Sequence, residues 1–246
     1  MNAKRPLIAV LTGAGISTDS GIPDYRGPQG LWQRDPSAQD LVTIGPYRAD
    51  PEVRRRAWRL RLETGVLGAE PNAGHRALVD LERSGLPLRV LTQNVDGLHQ
   101  RAGLAPRKVL ELHGTALEVK CLGCGATGPM AEALRRVEAG EPDPACRACG
   151  GILKPRTVMF GENLDQEVLG QADSIARACD VFIAVGTSLQ VFPVAALPYD
   201  AVRTGSKLII LNAEPTPYDE AAVEVIREPI SQALPDLVRR LVGEGL

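Results

Sequence analysis

Two Cys-x-x-Cys pairs, Cys121-Leu-Gly-Cys124 and Cys146-Arg-Ala-Cys149, stand 21 residues apart. Each two-residue spacing lets both sulfurs turn onto one tetrahedral ion, the arrangement zinc requires. Gly123, Gly125, Gly150 and Gly151 supply the tight turns of a zinc ribbon. Four thiolates close the coordination shell and leave no position for water, so the expected zinc is structural. A redox Cys-x-x-Cys pair and unliganded core thiols are the alternatives. The fifth cysteine, Cys179, stands alone before an apolar run and reads as a small core residue.

A second chemistry lies in Leu-Glu-Leu-His113-Gly114, where one imidazole follows a short apolar run. Histidine titrates near neutral pH and suits a general base, although a satisfied core histidine fits the spacing too. His75, after Pro71-Asn72, reads as a cap or packing residue, and His99 reads as structural. A third chemistry is the loop Gly13-Ala14-Gly15-Ile16-Ser17, at the end of the run Leu7 to Leu11. Its glycines let a backbone approach a pyrophosphate, with helix amides from near Ile16. The third glycine of the dinucleotide fingerprint is replaced by Thr18, and no acidic residue closes a second strand about 20 residues on. A Gly-rich turn without a ligand therefore stays open at this point. Asn212 and Glu214, after a late apolar run, are candidates for the adenosine ribose.

These residues need a scaffold that brings distant loops together. Leu7–Leu11, Leu88–Leu91, Val109–Leu112, Val181–Val185 and Leu208–Leu211 are apolar without alternation, as in a parallel sheet covered on both faces. Each ends in a polar or glycine signature. Helical patterns at Ala73–Ser84, Gln166–Ala178 and Pro229–Val242 lie between them or follow them. The expected class is α/β, a Rossmann-like doubly wound parallel sheet, in which ligands bind at the carboxyl ends of the strands. Residues 33–72, with a basic helical stretch from Pro51 to Leu62, and residues 119–153, with the cysteines and a helix at Met130–Ala139, do not fit that sheet. They read as insertions building a smaller helical and zinc-ribbon domain, against a large part formed by 1–32, 73–118 and 154–246. The basic run of Arg54, Arg55, Arg56, Arg59 and Arg61 reads by default as a solvated helix face.

The chain has 246 residues, a net charge of −2, 24% charged and 4% aromatic residues. That balance argues against a nucleic-acid partner and against a base-stacking surface. No apolar stretch approaches the ~20 residues that span a bilayer, and the N-terminal run enters the Gly-rich loop with no small-residue cleavage site. The expectation is a cytoplasmic protein without membrane partners.

In order, the chain carries Gly13-Ala-Gly-Ile-Ser17, Gly21-Ile-Pro-Asp-Tyr-Arg26, Thr92-Gln-Asn-Val-Asp96, His113-Gly114, the four cysteines, Phe160-Gly161-Glu162, Gly186-Thr-Ser188 and Asn212-Ala-Glu214. From about Leu7 to Leu241 it resembles the sirtuins, NAD-dependent protein lysine deacylases, of bacterial type. The resemblance implies a single catalytic domain in which NAD is consumed as co-substrate, one structural zinc ion is bound, and acylated lysine in proteins is the partner. His113 would be the general base. Asn94 would orient the nicotinamide ribose and a water, and Asp96 would hold the nicotinamide carboxamide. Gly13, Ala14, Gly15, Ser17, Asp24, Tyr25, Arg26, Trp32 and Gln93 would line the cofactor. Gly186, Thr187, Ser188, Asn212, Ala213, Glu214 and Ile230 would serve its phosphate and adenosine ends. Val158, Phe160 and Gly161 would form the acyl-lysine tunnel and peptide-pairing strand. The family usually has Phe where Tyr25 stands. Members that remove succinyl or malonyl groups carry Tyr-x-x-Arg where this chain has Trp58-Arg59-Leu60-Arg61. Trp58 would then offer an apolar wall and Arg61 a charge, which favours deacetylation over desuccinylation or demalonylation. Mono-ADP-ribosyltransfer and a non-catalytic NAD or ADP-ribose sensor are the competing functions.

Overall fold

Side chains along the first apolar run alternate between two cores. Strand β1 (Ile8–Thr12) sends Ile8 and Val10 to one face of the sheet and Ala9 and Leu11 to the other, all fully buried. Strands β7 (Val181–Val185) and β8 (Lys207–Leu211) divide in the same way. Burial on both faces is what a parallel sheet imposes, and it explains runs with no polar alternation. The computed structural model describes residues 5–24, 27, 30 and 35–243. Tyr25, Arg26 and Trp32, expected above to line the cofactor, lie outside the described residues.

With β2 (Leu88–Thr92), β3 (Val109–Glu111) and β9 (Glu224–Ile226), these strands form a six-stranded parallel sheet in the order β3-β2-β1-β7-β8-β9. This is the doubly wound order, with its direction reversing between β1 and β7. Helices Ala73–Arg83 and Ile230–Gly243 cover one face, and Gln166–Ala178 and Leu197–Arg203 the other. Asn72 and Asp165 start two of them. Asn72 accepts the Gly74 amide at 2.9 Å while its own amide donates to His75 Nδ1, a capping box.

The cysteine-bearing segment contains a three-stranded antiparallel sheet, ordered β5-β4-β6, of β4 (Gly114–Cys121), β5 (Thr127–Pro129) and β6 (Leu153–Thr157). Its strands extend beyond residues 119–153 at both ends. Helix Met130–Glu138 packs on it, and helix Pro51–Glu63 joins the same core through Trp58, beside Val119, Cys121, Met130 and Leu153. Tyr47 Oη donates to the Leu153 carbonyl at 2.8 Å, and Arg54 Nε meets Asp143 at 2.7 Å. The basic run is therefore not wholly solvated, because Arg54 is buried and ties residues 33–72 to residues 119–153 through Asp143. Among the described residues no helix is long and apolar enough to cross a membrane.

Candidate active site

Where β1 and β7 part, the loops that follow them press backbone to backbone. The Gly13 amide donates to Val185 O and the Gly15 amide to Gly186 O, both at 2.9 Å. A Cβ on Gly13 would stand 2.6 Å from Gly186 O, and one on Gly186, whose φ is +61°, would stand 2.5 Å from the Ile16 nitrogen. These glycines are thus needed first for loop against loop, before any ligand is considered. The helix expected from near Ile16 is a 3₁₀ segment that starts two residues earlier, Ala14–Ser20.

The crevice opens into a cavity of about 1000 Å³, at the upper end of the size of small-molecule and cofactor sites. The carboxyl ends of β1, β2, β7 and β8 contribute to it, together with His113 after β3 and the segment Thr157–Gly161 after β6. A polar network lies at its floor. Ser17 Oγ donates to Asp96 Oδ2 at 2.7 Å and accepts from Asn94 Nδ2 at 3.2 Å, which also donates to Gly13 O at 3.0 Å. Asp96 Oδ1 accepts the Leu98 amide at 2.9 Å. Gln93 Nε2 donates to Thr187 Oγ1 at 2.8 Å and so joins the β2 and β7 loops. Asn94 and Asp96 are buried, with side chains fixed before any ligand arrives.

His113 Nδ1 lies 3.0 Å from Gln93 O. A carbonyl only accepts, so Nδ1 carries the proton and Nε2 is the nitrogen able to take one. Burial pushes the ring below the usual imidazole value of 6.5, partly offset by the Gln93 carbonyl, and keeps it neutral at physiological pH. The same residue's carbonyl accepts the Val158 amide at 2.8 Å. Gly114 follows with φ +75°, where a Cβ would meet Arg156 O at 2.3 Å. His75 and His99 lie deeper. Burial lowers them to about 4 and about 3, their rings touch at 5.1 Å, and His99 Nε2 meets Thr12 Oγ1 at 2.9 Å. Both fit the structural roles read for them.

At the far end of the antiparallel sheet, the ligand atoms of Cys121, Cys124, Cys146 and Cys149 all lie within 4.8 Å of one another. The Cys121–Cys149 and Cys124–Cys146 sulfurs are 3.5 and 3.8 Å apart. A tetrahedron of zinc–sulfur bonds of ~2.3 Å separates its sulfurs by ~3.8 Å, whereas a disulfide needs ~2.05 Å. The donor set fits one structural zinc ion. The Cys124 and Gly123 amides draw Cys121 down to about 6. Cys149, despite the Gly151 amide, is pushed up to about 12 by the thiols of Cys124 and Cys121. Without a cation the four sulfurs cannot all ionise.

A sequence profile of the Sir2 family matches residues 13–193. The chain belongs to the Sir2 family. NAD-dependent protein deacetylase 2 of Streptomyces coelicolor is 65% identical over 96% of this chain and 98% of its own length. NAD-dependent protein deacylase 2 of Archaeoglobus fulgidus is 44% identical over 97% and 92%. A solved Sir2 structure with a p53 peptide and NAD+ superposes with a TM-score of 0.84 at 37% identity, covering 98% of this chain and 94% of that one. A Sir2 structure bound to a propionylated peptide gives 0.83 at 36%, with the same coverage.

Of the Sir2 positions named from sequence, Gly13, Ala14, Gly15, Ser17, Asp24, Gln93, Asn94, Asp96 and His113 line the cavity. So do Thr187, Ser188, Asn212, Ala213, Glu214, Ile230, Val158, Phe160, Gly161 and Arg61. Gly186 stands behind the wall, where it permits the loop contact. Trp58 corrects the sequence reading. It is 0% exposed, packed into the core shared with the zinc ribbon, and is no wall of the cleft. Its indole Nε1 has no partner among the described residues, and the Arg61 guanidinium lies 5.6 Å from its ring. Sequence reasoning missed the Arg227–Glu228–Pro229 stretch, which lines the cavity beside Glu214. Arg227 donates to Asn212 O at 2.7 Å and Glu214 O at 3.0 Å. Its nearness to Pro229 and the last helix was the one available signal.

Proposed function

We propose that the Gly13–Ser17 turn and the β7 and β8 loops hold NAD, that Val158–Gly161 receives acyl-lysine, and that His113 is the base between them. The chain is an NAD-dependent protein lysine deacetylase, which moves the acyl group from lysine to ADP-ribose and releases nicotinamide. The observation that carries the residue assignment is the His113 ring, held through Nδ1 by Gln93 O on the same cavity wall as Asn94 and Asp96, which leaves Nε2 as the nitrogen able to take a proton. NAD supplies an acetal-like ribose carbon and a leaving group. The weakly nucleophilic amide oxygen must be positioned against that carbon, which calls for fixed walls on both sides. Asp96 and Asn94, immobilised through Ser17, suit the nicotinamide end. His113 then takes the proton of the attacking ribose hydroxyl at Nε2.

The rate should be independent of pH above neutrality and fall as pH drops through a midpoint below 6.5, because only the neutral imidazole takes a proton and burial lowers its titration. A kcat/KM profile against pH reads this, and a midpoint above 7 would contradict it.

We assign acetyl as the preferred acyl group over succinyl. Arg61 reaches the cavity, but it donates to the Ala57 carbonyl and lies against Trp58, which is sealed from the cavity and gives an acyl carboxylate no donor. One missing donor to a carboxylate is worth ~1–3 kcal/mol. Matched acetylated and succinylated peptides, assayed with NAD for nicotinamide release and peptide mass, should favour acetyl by about tenfold, the equivalent of ~1.4 kcal/mol. A tenfold advantage for succinyl would show Arg61 acting unaided, and Arg61→Met would then remove that activity alone. Nicotinamide release without acyl-lysine, with mass added to a protein, would indicate ADP-ribosyltransfer.

A further inference from the structure

Lys154, on β6, is one of the few buried charges among the described residues, at 5% exposure. Its ammonium meets Glu162 Oε2 at 2.9 Å, Thr157 O at 2.6 Å and Pro155 O at 3.2 Å, so three N–H donors meet three acceptors. The same Glu162 oxygen accepts the Met159 amide at 2.9 Å. Thr157 to Gly161, the chain between these groups, lines the cavity, whereas Lys154 does not. Beyond the end of β6 this segment is held by the Val158 amide on His113 O, the Phe160 amide on Val42 O, and the Ile44 amide on Phe160 O.

A buried ion pair is weak evidence for stability, because a well-packed apolar side chain of similar volume often does as well. An apolar residue at position 154 would fill the space. It could not hold the Thr157 carbonyl, nor bring the Glu162 carboxylate to the Met159 amide. What the pair supplies is geometry. We propose that Lys154 and Glu162 form a positioning clamp that sets the acyl-lysine wall Val158–Gly161 against His113. It acts on peptide binding and on the approach of the amide to the base, and leaves the NAD end of the cavity unaffected.

The proposal rests on the deacetylase reading, which wild-type turnover in the same assay tests separately. Lys154→Met should unfold cooperatively and keep its KM for NAD, while the KM for acetylated peptide rises about tenfold, the worth of one charge-assisted hydrogen bond. The Val158 and Met159 amides should exchange faster with solvent. Lys154→Arg, which keeps charge and donors, should recover most of the peptide affinity. An unchanged peptide KM in folded Lys154→Met overturns the clamp, as does an equal rise in both KM values, which would mean general loosening. If Lys154→Met does not fold, Glu162→Gln takes its place in the comparison. It keeps the side-chain size and removes the charge, and a peptide KM equal to wild type would likewise overturn the proposal.

Discussion

His113→Ala is expected to lower acyl transfer by ~10²–10⁴-fold, the usual contribution of a positioned general base. No other imidazole stands in its place. Of the three histidines, only His113 lines the cavity. His75 and His99 are buried below it, already hydrogen-bonded, and lowered to about 4 and about 3. Both Asp96 oxygens are engaged, by Ser17 and Leu98. The loop contacts among Gly13, Gly15 and Gly186 do not involve the imidazole, so NAD binding should survive. Exchange of labelled nicotinamide into NAD, which precedes the step needing a base, should persist while deacetylation is lost. Wild-type turnover in the variant would remove His113 from the mechanism.

Cys121→Ala should be as damaging, through folding rather than chemistry. The core around Cys121 and Cys146 is small, with Trp58, Val119, Met130, Ala133, Leu134 and Leu153 as its other buried members. Small cores of this kind depend on a staple, and structural zinc contributes ~10–16 kcal/mol in isolated zinc-finger peptides. Losing even part of this should lower the midpoint of thermal unfolding by ~10 °C or more, or leave the protein insoluble. Zinc content, unfolding midpoint and activity should fall together, and a chelator should reproduce the effect on the wild type. A folded, active, zinc-free variant would refute the structural role.

The parallel sheet was legible because β1, β7 and β8 are buried on both faces, and that leaves uninterrupted apolar runs. β9 was not, since Glu224–Ile226 is short, half-buried and at the sheet edge. Helix Leu197–Arg203 begins with Leu197-Pro198 and reads locally as a turn. Site residues were legible where they follow strands, because the sheet gathers strand ends whatever their separation in sequence. Trp58 was misread for the opposite reason. Its expected place in the cleft follows from aligning Trp58-Arg59-Leu60-Arg61 with the Tyr-x-x-Arg of desuccinylating members, and an aligned position does not say which neighbour the ring meets; that neighbour is the zinc ribbon, 61 residues further on at Val119. The need for glycine at 13 and 186 was read as an approach to phosphate. It arises from contact between two loops more than 170 residues apart, a pairing invisible to either segment alone.

His113 is a junction as well as the proposed base. Its ring is held by the loop after β2, its carbonyl carries the amide of Val158, and its successor Gly114 opens β4, the strand that ends at Cys121. Reactive and metal-binding ends are joined by one strand of eight residues, roughly 25 Å at ~3.4 Å per residue. The backbone that carries the imidazole is thus pinned by the parallel sheet, by the Val158 segment and by the strand that leads to the ribbon. Loosening the ribbon should therefore reach the proposed base as well as the metal end, so a defect remote from the cavity shows itself in acyl transfer.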